Sequence, residues 1–228
     1  MIWRDFPWVL LAIAVFGSVL GWWCAQLACR YACSLSEAMQ LPSKKETGSA
    51  SCALSVSCCV VLAGLFVVFH ARYGLSLVFP AAGIATALLM VLAVVDAKTS
   101  LLPDALTLPL LWLGLGLAWV GGPVALHAAL AGAMAGYGFL FVLFWLFKIV
   151  RKKEGMGYGD FKLLAALGAW VGVLNLPYVL LLACLAGLAY AVWRQKSLAP
   201  AGAYPFGPFL ASSGVAVMAF APEVHSYF

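Results

Sequence analysis

Residues 75–96 of the chain, LSLVFPAAGIATALLMVLAVVD, carry no charge until Asp96 ends the run. A helix needs about 20 mainly apolar residues to cross the hydrocarbon core of a bilayer, and residues 75–95 meet that requirement. A membrane β-strand would instead show about ten residues of alternating polarity. This stretch therefore predicts a transmembrane α-helix that ends in a carboxylate.

The composition extends this prediction to the whole chain. Of the 228 residues, 65% are hydrophobic and 9% are charged, and the mean hydropathy is +1.05. Soluble domains are about 45–50% apolar and about 25% charged, so a soluble fold is excluded. The net charge of +5 is modest, and most basic residues lie in short predicted loops. This distribution indicates that they set the orientation of the chain in a lipid bilayer, and it does not favour nucleic acid as a partner.

Long apolar runs without alternation predict an all-α, polytopic membrane helix bundle with about eight transmembrane helices. The first run is expected to be a retained helix, because no convincing signal-peptide cleavage site follows it. The eight predicted spans are residues 6–29, 52–70, 75–95, 105–121, 124–147, 161–174, 176–193 and 205–222.

The basic residues predict an orientation for these spans. With the N-terminus outside, eleven cations fall on the inner side and two on the outer side, as the positive-inside rule requires. The inner cations are Arg30, Lys44, Lys45, Lys98, Lys148, Arg151, Lys152, Lys153, Lys162, Arg194 and Lys196, and the outer ones are Arg4 and Arg72. The longest inner loop is predicted at residues 31–51.

Three of the eight acidic residues lie at the ends of predicted spans on this inner side. Asp96 follows one apolar run, Asp104 opens the next, and Asp160 opens the sixth span. A carboxylate at membrane depth costs about 2.5–3.5 kcal/mol on insertion scales, so each is a candidate functional residue. Asp104 and Asp160 also fit a simpler role as acids that favour a helix start.

Two carboxyl groups a few ångströms apart share one proton, because ionising both is costly. The ionised member accepts a proton from water, while the protonated member donates to the carbonyl oxygen that is attacked. This chemistry requires no metal. The scattered residues His70, His127 and His225 are interpreted as packing or interfacial side chains. The seven cysteines lack paired spacing and are interpreted as small apolar residues or reduced thiols.

Glycines precede Asp160 in residues 155–160, GMGYGD. Gly155, Gly157 and Gly159 are expected to permit positive φ angles and the close approach of an extended peptide. A plain flexible entry to the helix explains the same spacing equally well. A phosphate-binding loop is disfavoured, because no Gly-Lys-Ser or Gly-Lys-Thr follows.

Three ordered motifs resemble the type IV prepilin leader peptidases, the GxGD-type membrane aspartyl proteases. Residues 96–112, DAKTSLLPDALTLPLLW, resemble the first aspartate motif of that family. Residues 157–170, GYGDFKLLAALGAW, resemble its G-x-G-D motif, and residues 205–211, PFGPFLA, resemble its late P-F-G-P segment. The likeness runs from about residue 90 to 212.

The resemblance implies an inner-membrane endopeptidase that removes the basic leader of type IV prepilins or type II secretion pseudopilins at the cytoplasmic face. It implies that Asp96 and Asp160 are catalytic and that proteolysis uses no cofactor. Supporting roles are expected for the remaining motif residues, namely Asp104, Gly157, Gly159 and Lys162.

The N-terminal part departs from the family pattern. Residues 16–21, FGSVLG, match a G-S-F-L-N-like segment only faintly, and the cytoplasmic insert is short and lacks both C-x-x-C pairs. We expect residues 1–75 to form a helix pair with a reduced methyltransferase-like region, and residues 76–228 to form a six-helix protease core. N-methylation of the new N-terminus, which would need S-adenosylmethionine, stays open, as does a bound zinc.

Two other classes of function use the same residues differently. Intramembrane carboxylates also serve proton-coupled transporters, although those favour charges near the midplane and internal repeats. A non-catalytic assembly protein of a secretion or pilus system would keep the motifs without using the carboxylates. Replacement of Asp96 or Asp160 by asparagine distinguishes these classes from a protease.

Overall fold

A computed structural model describes residues 7–38, 48–151, 157–195 and 205–220. Within these ranges the chain forms eight α-helices and no β-strand, so the all-helical prediction is confirmed. The helices are α1 (Pro7–Ala38), α2 (Gly48–Tyr73), α3 (Val78–Thr99), α4 (Asp104–Trp119), α5 (Leu126–Arg151), α6 (Tyr158–Val171), α7 (Leu176–Gln195) and α8 (Gly207–Phe220).

Five helices are long and apolar enough to cross a membrane, namely α1, α2, α3, α5 and α7. The described parts of α4, α6 and α8 contain 16, 14 and 14 residues. At 1.5 Å per residue these helices measure about 21–24 Å, less than the roughly 30 Å of a hydrocarbon core. The eight helices thus occur where spans are predicted, but three of them are shorter than a full crossing.

The inner loop predicted at residues 31–51 is too long at both ends. Helix α1 continues to Ala38 and α2 begins at Gly48. A span predicted from hydropathy ends before the first charged residue, Arg30, whereas the helix itself continues as long as its backbone hydrogen bonds are formed. The polar stretch Pro42–Thr47 lies outside the described residues.

Contacts within the chain define a first compact unit, Met1–Thr99, in which α1, α2 and α3 pack against one another. Helices α1 and α2 approach closely at Gly21, where an added Cβ would lie 2.7 Å from the carbonyl oxygen of Cys58. This unit ends after α3, whereas the sequence division falls between residues 75 and 76. The functional division at that earlier point stays a prediction.

The second compact unit, Ser100–Phe228, is organised around α6. Helix α6 packs against α4, α5, α7 and α8, and every residue from Leu163 to Val171 is buried. A helix that is apolar on all sides lies in the middle of its bundle. Gly132 of α5 and Gly168 of α6 meet so closely that a Cβ on either would collide with the other's backbone.

Large apolar side chains cover the outer surface of the helices. On α5, Phe139, Val142, Leu146 and Ile149 are each more than half exposed. Soluble monomers rarely expose apolar patches larger than a few hundred Å². These exposed faces and the five long apolar helices identify a multi-pass membrane protein.

Candidate functional site

Asp96 lies in the last turn of α3, in the first unit. It is 4% exposed and follows the buried residues Val94 and Val95. The helix ends at Thr99, and Ser100 then adopts a φ of 53°, which is uncommon for a residue with a side chain. A carboxylate buried among apolar residues is costly unless it is stabilised, so its position favours a functional role.

Asp160 lies in the first turn of α6, in the second unit, and is 8% exposed. Gly157 precedes the helix in an extended conformation, and the backbone N–H of Asp160 donates to the Gly157 carbonyl at 3.3 Å. An acid in the first turn is favoured by the helix dipole. The next residue, Phe161, is fully buried, so this end of α6 is anchored beside the carboxylate.

Asp104 opens α4 and forms an ion pair with Lys162 of α6. The Lys162 ammonium lies 2.7 Å from each oxygen of the Asp104 carboxylate. Pro103 precedes the helix without capping it through a side chain, and its carbonyl accepts the N–H groups of Leu106 and Thr107. The pair therefore joins the starts of α4 and α6, although the two residues are 58 positions apart in the chain.

The glycines before Asp160 act differently from the expectation. Gly157 has a φ of −76°, and the described glycines with positive φ are Gly74, Gly121 and Gly172. A positive φ angle therefore does not occur at Gly157 or Gly159, and this part of the expectation is wrong. Close approach does occur at Gly159, where an added Cβ would lie 2.6 Å from the Cβ of Leu102. The neighbour there is Leu102 of this chain, and the approach of an extended peptide stays a prediction. Gly155 lies outside the described residues.

An aromatic cluster beside Asp160 was not predicted from the sequence. The ring of Phe161 packs against Tyr137, Phe144 and Tyr158 at centroid distances of 6.1, 5.7 and 5.6 Å. The spacing of aromatic residues along α5 was the available signal. This cluster fixes the first turn of α6 against α5, as the Asp104–Lys162 pair fixes it against α4.

Helices α4 and α6 also meet deeper in the second unit. The indole N–H of Trp170 donates to the Leu110 carbonyl at 2.9 Å, and both side chains are buried. An added Cβ at Gly114 would lie 2.8 Å from the Trp170 ring. The contact between the two helices is therefore continuous from their N-terminal ends inward.

In the described ranges, the other histidine, cysteine and acidic side chains do not form a metal site or a disulfide. Within the described residues, no three His, Cys, Asp or Glu side chains are grouped so that they could hold a metal ion. No disulfide joins the six cysteines that the structure describes. His70 is 3% exposed and packs edge-on against Phe79, in line with a packing role, and its ring nitrogens have no hydrogen-bond partner among the described residues.

The late P-F-G-P segment begins α8. Pro205 and Phe206 precede the helix, and the Phe206 carbonyl accepts the N–H groups of Phe209 and Leu210 at 3.1 Å. Leu210 is fully buried, and α8 packs against α6 and α7. This segment therefore belongs to the packing around α6.

Comparison with protein families finds a match for the central part of the chain. Residues 83–192 fit the model of the type IV leader peptidase family. The matched region contains Asp96, Asp104, Asp160 and Lys162 and ends before the P-F-G-P segment.

Curated relatives include proteins called prepilin leader peptidase/N-methyltransferase. The one from Burkholderia pseudomallei (strain K96243) is 50% identical over 137 residues, which is 59% of this chain and 44% of the relative. The Escherichia coli (strain K12) protein is 51% identical over 123 residues, 54% of this chain and 55% of the relative.

The relative from Dichelobacter nodosus is 43% identical over 164 residues, 72% of this chain and 56% of its own length. The chain thus spans about half the length of the curated relatives that it matches. No solved structure matches it.

Proposed function

We propose that this chain, whose residues 83–192 fit the model of the type IV leader peptidase family, is a membrane aspartyl endopeptidase of that family. Its substrates are type IV prepilins or type II secretion pseudopilins, from which it removes the leader peptide. One observation carries the proposal. Within the region matched to the family, the two motif aspartates, Asp96 and Asp160, are both buried at helix ends.

Asp96 and Asp160 act as a pair that shares one proton. The ionised carboxylate accepts a proton from the attacking water, and the protonated carboxyl donates to the oxygen of the scissile carbonyl. The resulting tetrahedral intermediate collapses with protonation of the leaving amine. Protonation states belong to the pair as a whole, because the two groups titrate together.

The reaction takes place at the cytoplasmic face of the bacterial inner membrane. Eleven of the thirteen cations lie on the side that also carries Asp96 and Asp160 when the predicted spans alternate, which supports this orientation. Lys98, two residues after Asp96, and Lys162, two residues after Asp160, mark that side. The basic leader of the substrate would approach from there.

The test uses the purified chain in lipid or detergent and a prepilin with a Gly-Phe junction, with products identified by mass spectrometry. We expect one cut at the junction. Asp96→Asn and Asp160→Asn should each lower the rate by about 10²–10⁴-fold, the usual contribution of a positioned acid or base.

The matched control is Glu37→Gln, which removes an exposed carboxylate from α1 and should leave the rate unchanged. Cleavage by either aspartate variant at the normal rate would contradict the mechanism. A wild-type chain that leaves every prepilin intact would contradict the function and would favour an assembly protein or a transporter.

N-methylation is a second outcome of the same experiment. The curated relatives carry N-methyltransferase in their names, and we propose residues 1–75 as the region that would retain this activity. With S-adenosylmethionine added, a retained activity yields a product heavier by one methyl group. No described residue is assigned to S-adenosylmethionine, and the proposed cleavage proceeds without it.

A further inference from the structure

The first turn of α6 is held against the start of α4 at two points that bracket Asp160. On one side of the aspartate, Gly159 lies so close to Leu102 that a Cβ there would be 2.6 Å from the Leu102 Cβ. On the other side, the Lys162 ammonium binds both oxygens of Asp104 at 2.7 Å. Residues 102–104 and 159–162 therefore form one small clamp.

The ion pair of this clamp contributes little to folding stability. The side chains of Lys162 and Asp104 are 37% and 54% exposed, and pairs exposed to that extent stabilise proteins weakly. Asp104 also satisfies no N–H group as a side-chain cap, because α4 begins after Pro103. We therefore expect the pair to act mainly on geometry, because it fixes the position of the first turn of α6 relative to the start of α4.

We propose that Asp104 and Lys162 are a positioning pair that sets the direction of the Asp160 carboxylate. This inference rests on the proposed protease function. Lys162 lies half a turn beyond Asp160 on the same short helix, so tethering Lys162 limits rotation and tilt of the turn that carries the carboxylate. Reacting groups need this control, because a displacement of about 1 Å costs on the order of 10²-fold in rate.

Two simpler roles make different demands on these residues. If Asp104 only favours the start of α4, its loss should not depend on the residue at position 162. If Lys162 contacts the substrate, its charge is needed whatever stands at position 104. A positioning pair requires opposite charges at the two positions and tolerates their exchange.

The experiment measures cleavage kinetics of D104N, K162Q, D104N/K162Q, K162R and the charge-exchanged D104K/K162D. Each neutral single variant should lower kcat about tenfold or more with KM changed less than about twofold. The neutral double variant should lose no more than either single variant, because both remove the same interaction. K162R and the charge exchange should recover most of the rate.

Thermal unfolding and the amount of inserted protein should stay near wild type in all five variants, which separates positioning from a folding defect. Losses that multiply in the neutral double variant would overturn the proposal. So would a charge exchange that folds normally but is no faster than that double variant.

Failure of the positioning pair and failure of the proposed function have different signatures. If the wild-type chain cuts prepilin and D96N and D160N do not, the protease stands whatever positions 104 and 162 do. If the wild-type chain cuts nothing, the protease is refuted first and the pair has no reaction to position.

Discussion

Gly159→Ala tests whether the contact between Leu102 and the first turn of α6 controls the candidate site. The added Cβ would lie 2.6 Å from the Leu102 Cβ and 3.2 Å from its Cδ1. Ordinary contacts begin at 3.4 Å, so one backbone must move by about 0.8 Å, the difference between 3.4 and 2.6. Rotation of the Leu102 side chain gives no relief, because its Cβ is fixed to the backbone.

The expected effect on stability is small and the effect on rate is large. Overpacking costs about 1–3 kcal/mol, and alanine in place of glycine returns about 1 kcal/mol of helix propensity, so the net loss is about 0–2 kcal/mol. A displacement of about 0.8 Å next to Asp160 should lower the cleavage rate on the order of 10–100-fold.

The assay compares prepilin cleavage and thermal unfolding of Gly159→Ala with those of Gly116→Ala. Gly116 is an exposed residue of α4, and an added Cβ there would have no neighbouring atom within 4 Å. This control should cut prepilin at the wild-type rate. A Gly159→Ala protein that keeps the wild-type rate would refute the expected effect, as would an equal loss of activity in both variants.

Other perturbations test the packing of the second unit and the orientation of the chain. Gly168→Ala should lower the unfolding temperature, because the new methyl group collides with the backbone of Gly132, whereas Gly138→Ala, with nothing within 4 Å, should not. Trp170→Phe should lower the free energy of unfolding by about 0.5–1.5 kcal/mol through loss of its hydrogen bond to α4, measured by chemical denaturation. Lys98 should react with a membrane-impermeant amine reagent only from the cytoplasmic side, and labelling from the outside would contradict the proposed orientation.

The placement of the two aspartates in separate compact units shapes the proposed mechanism. Asp96 belongs to the unit that ends at Thr99, and Asp160 belongs to the unit that begins at Ser100. Each carboxylate is positioned by its own set of helices. Their pairing therefore stays a proposal, and Asp96→Asn and Asp160→Asn test whether the reaction needs both carboxylates.

Sequence alone determined the class of the protein, the number of helices and the candidate carboxylates. Long uncharged runs can satisfy their backbone groups in a bilayer only as helices, so local composition was enough. The sequence also predicted roughly where α4 and α6 begin, because Pro103 and the glycines around residue 157 are local signals of a helix start. The lengths of the short helices could not be predicted as well, because hydropathy does not indicate the residue at which a helix ends.

Tertiary structure alone decided which side chains meet. The Asp104–Lys162 pair, the aromatic cluster on Phe161 and the contact of Gly159 with Leu102 all join distant parts of the chain. Such contacts depend on how far each helix is rotated and how closely it approaches its neighbour. The rotation of each helix and its distance from its neighbour depend on side-chain packing between helices, and the contact of Gly132 with Gly168 fixes the distance between α5 and α6. Local hydropathy does not determine either quantity.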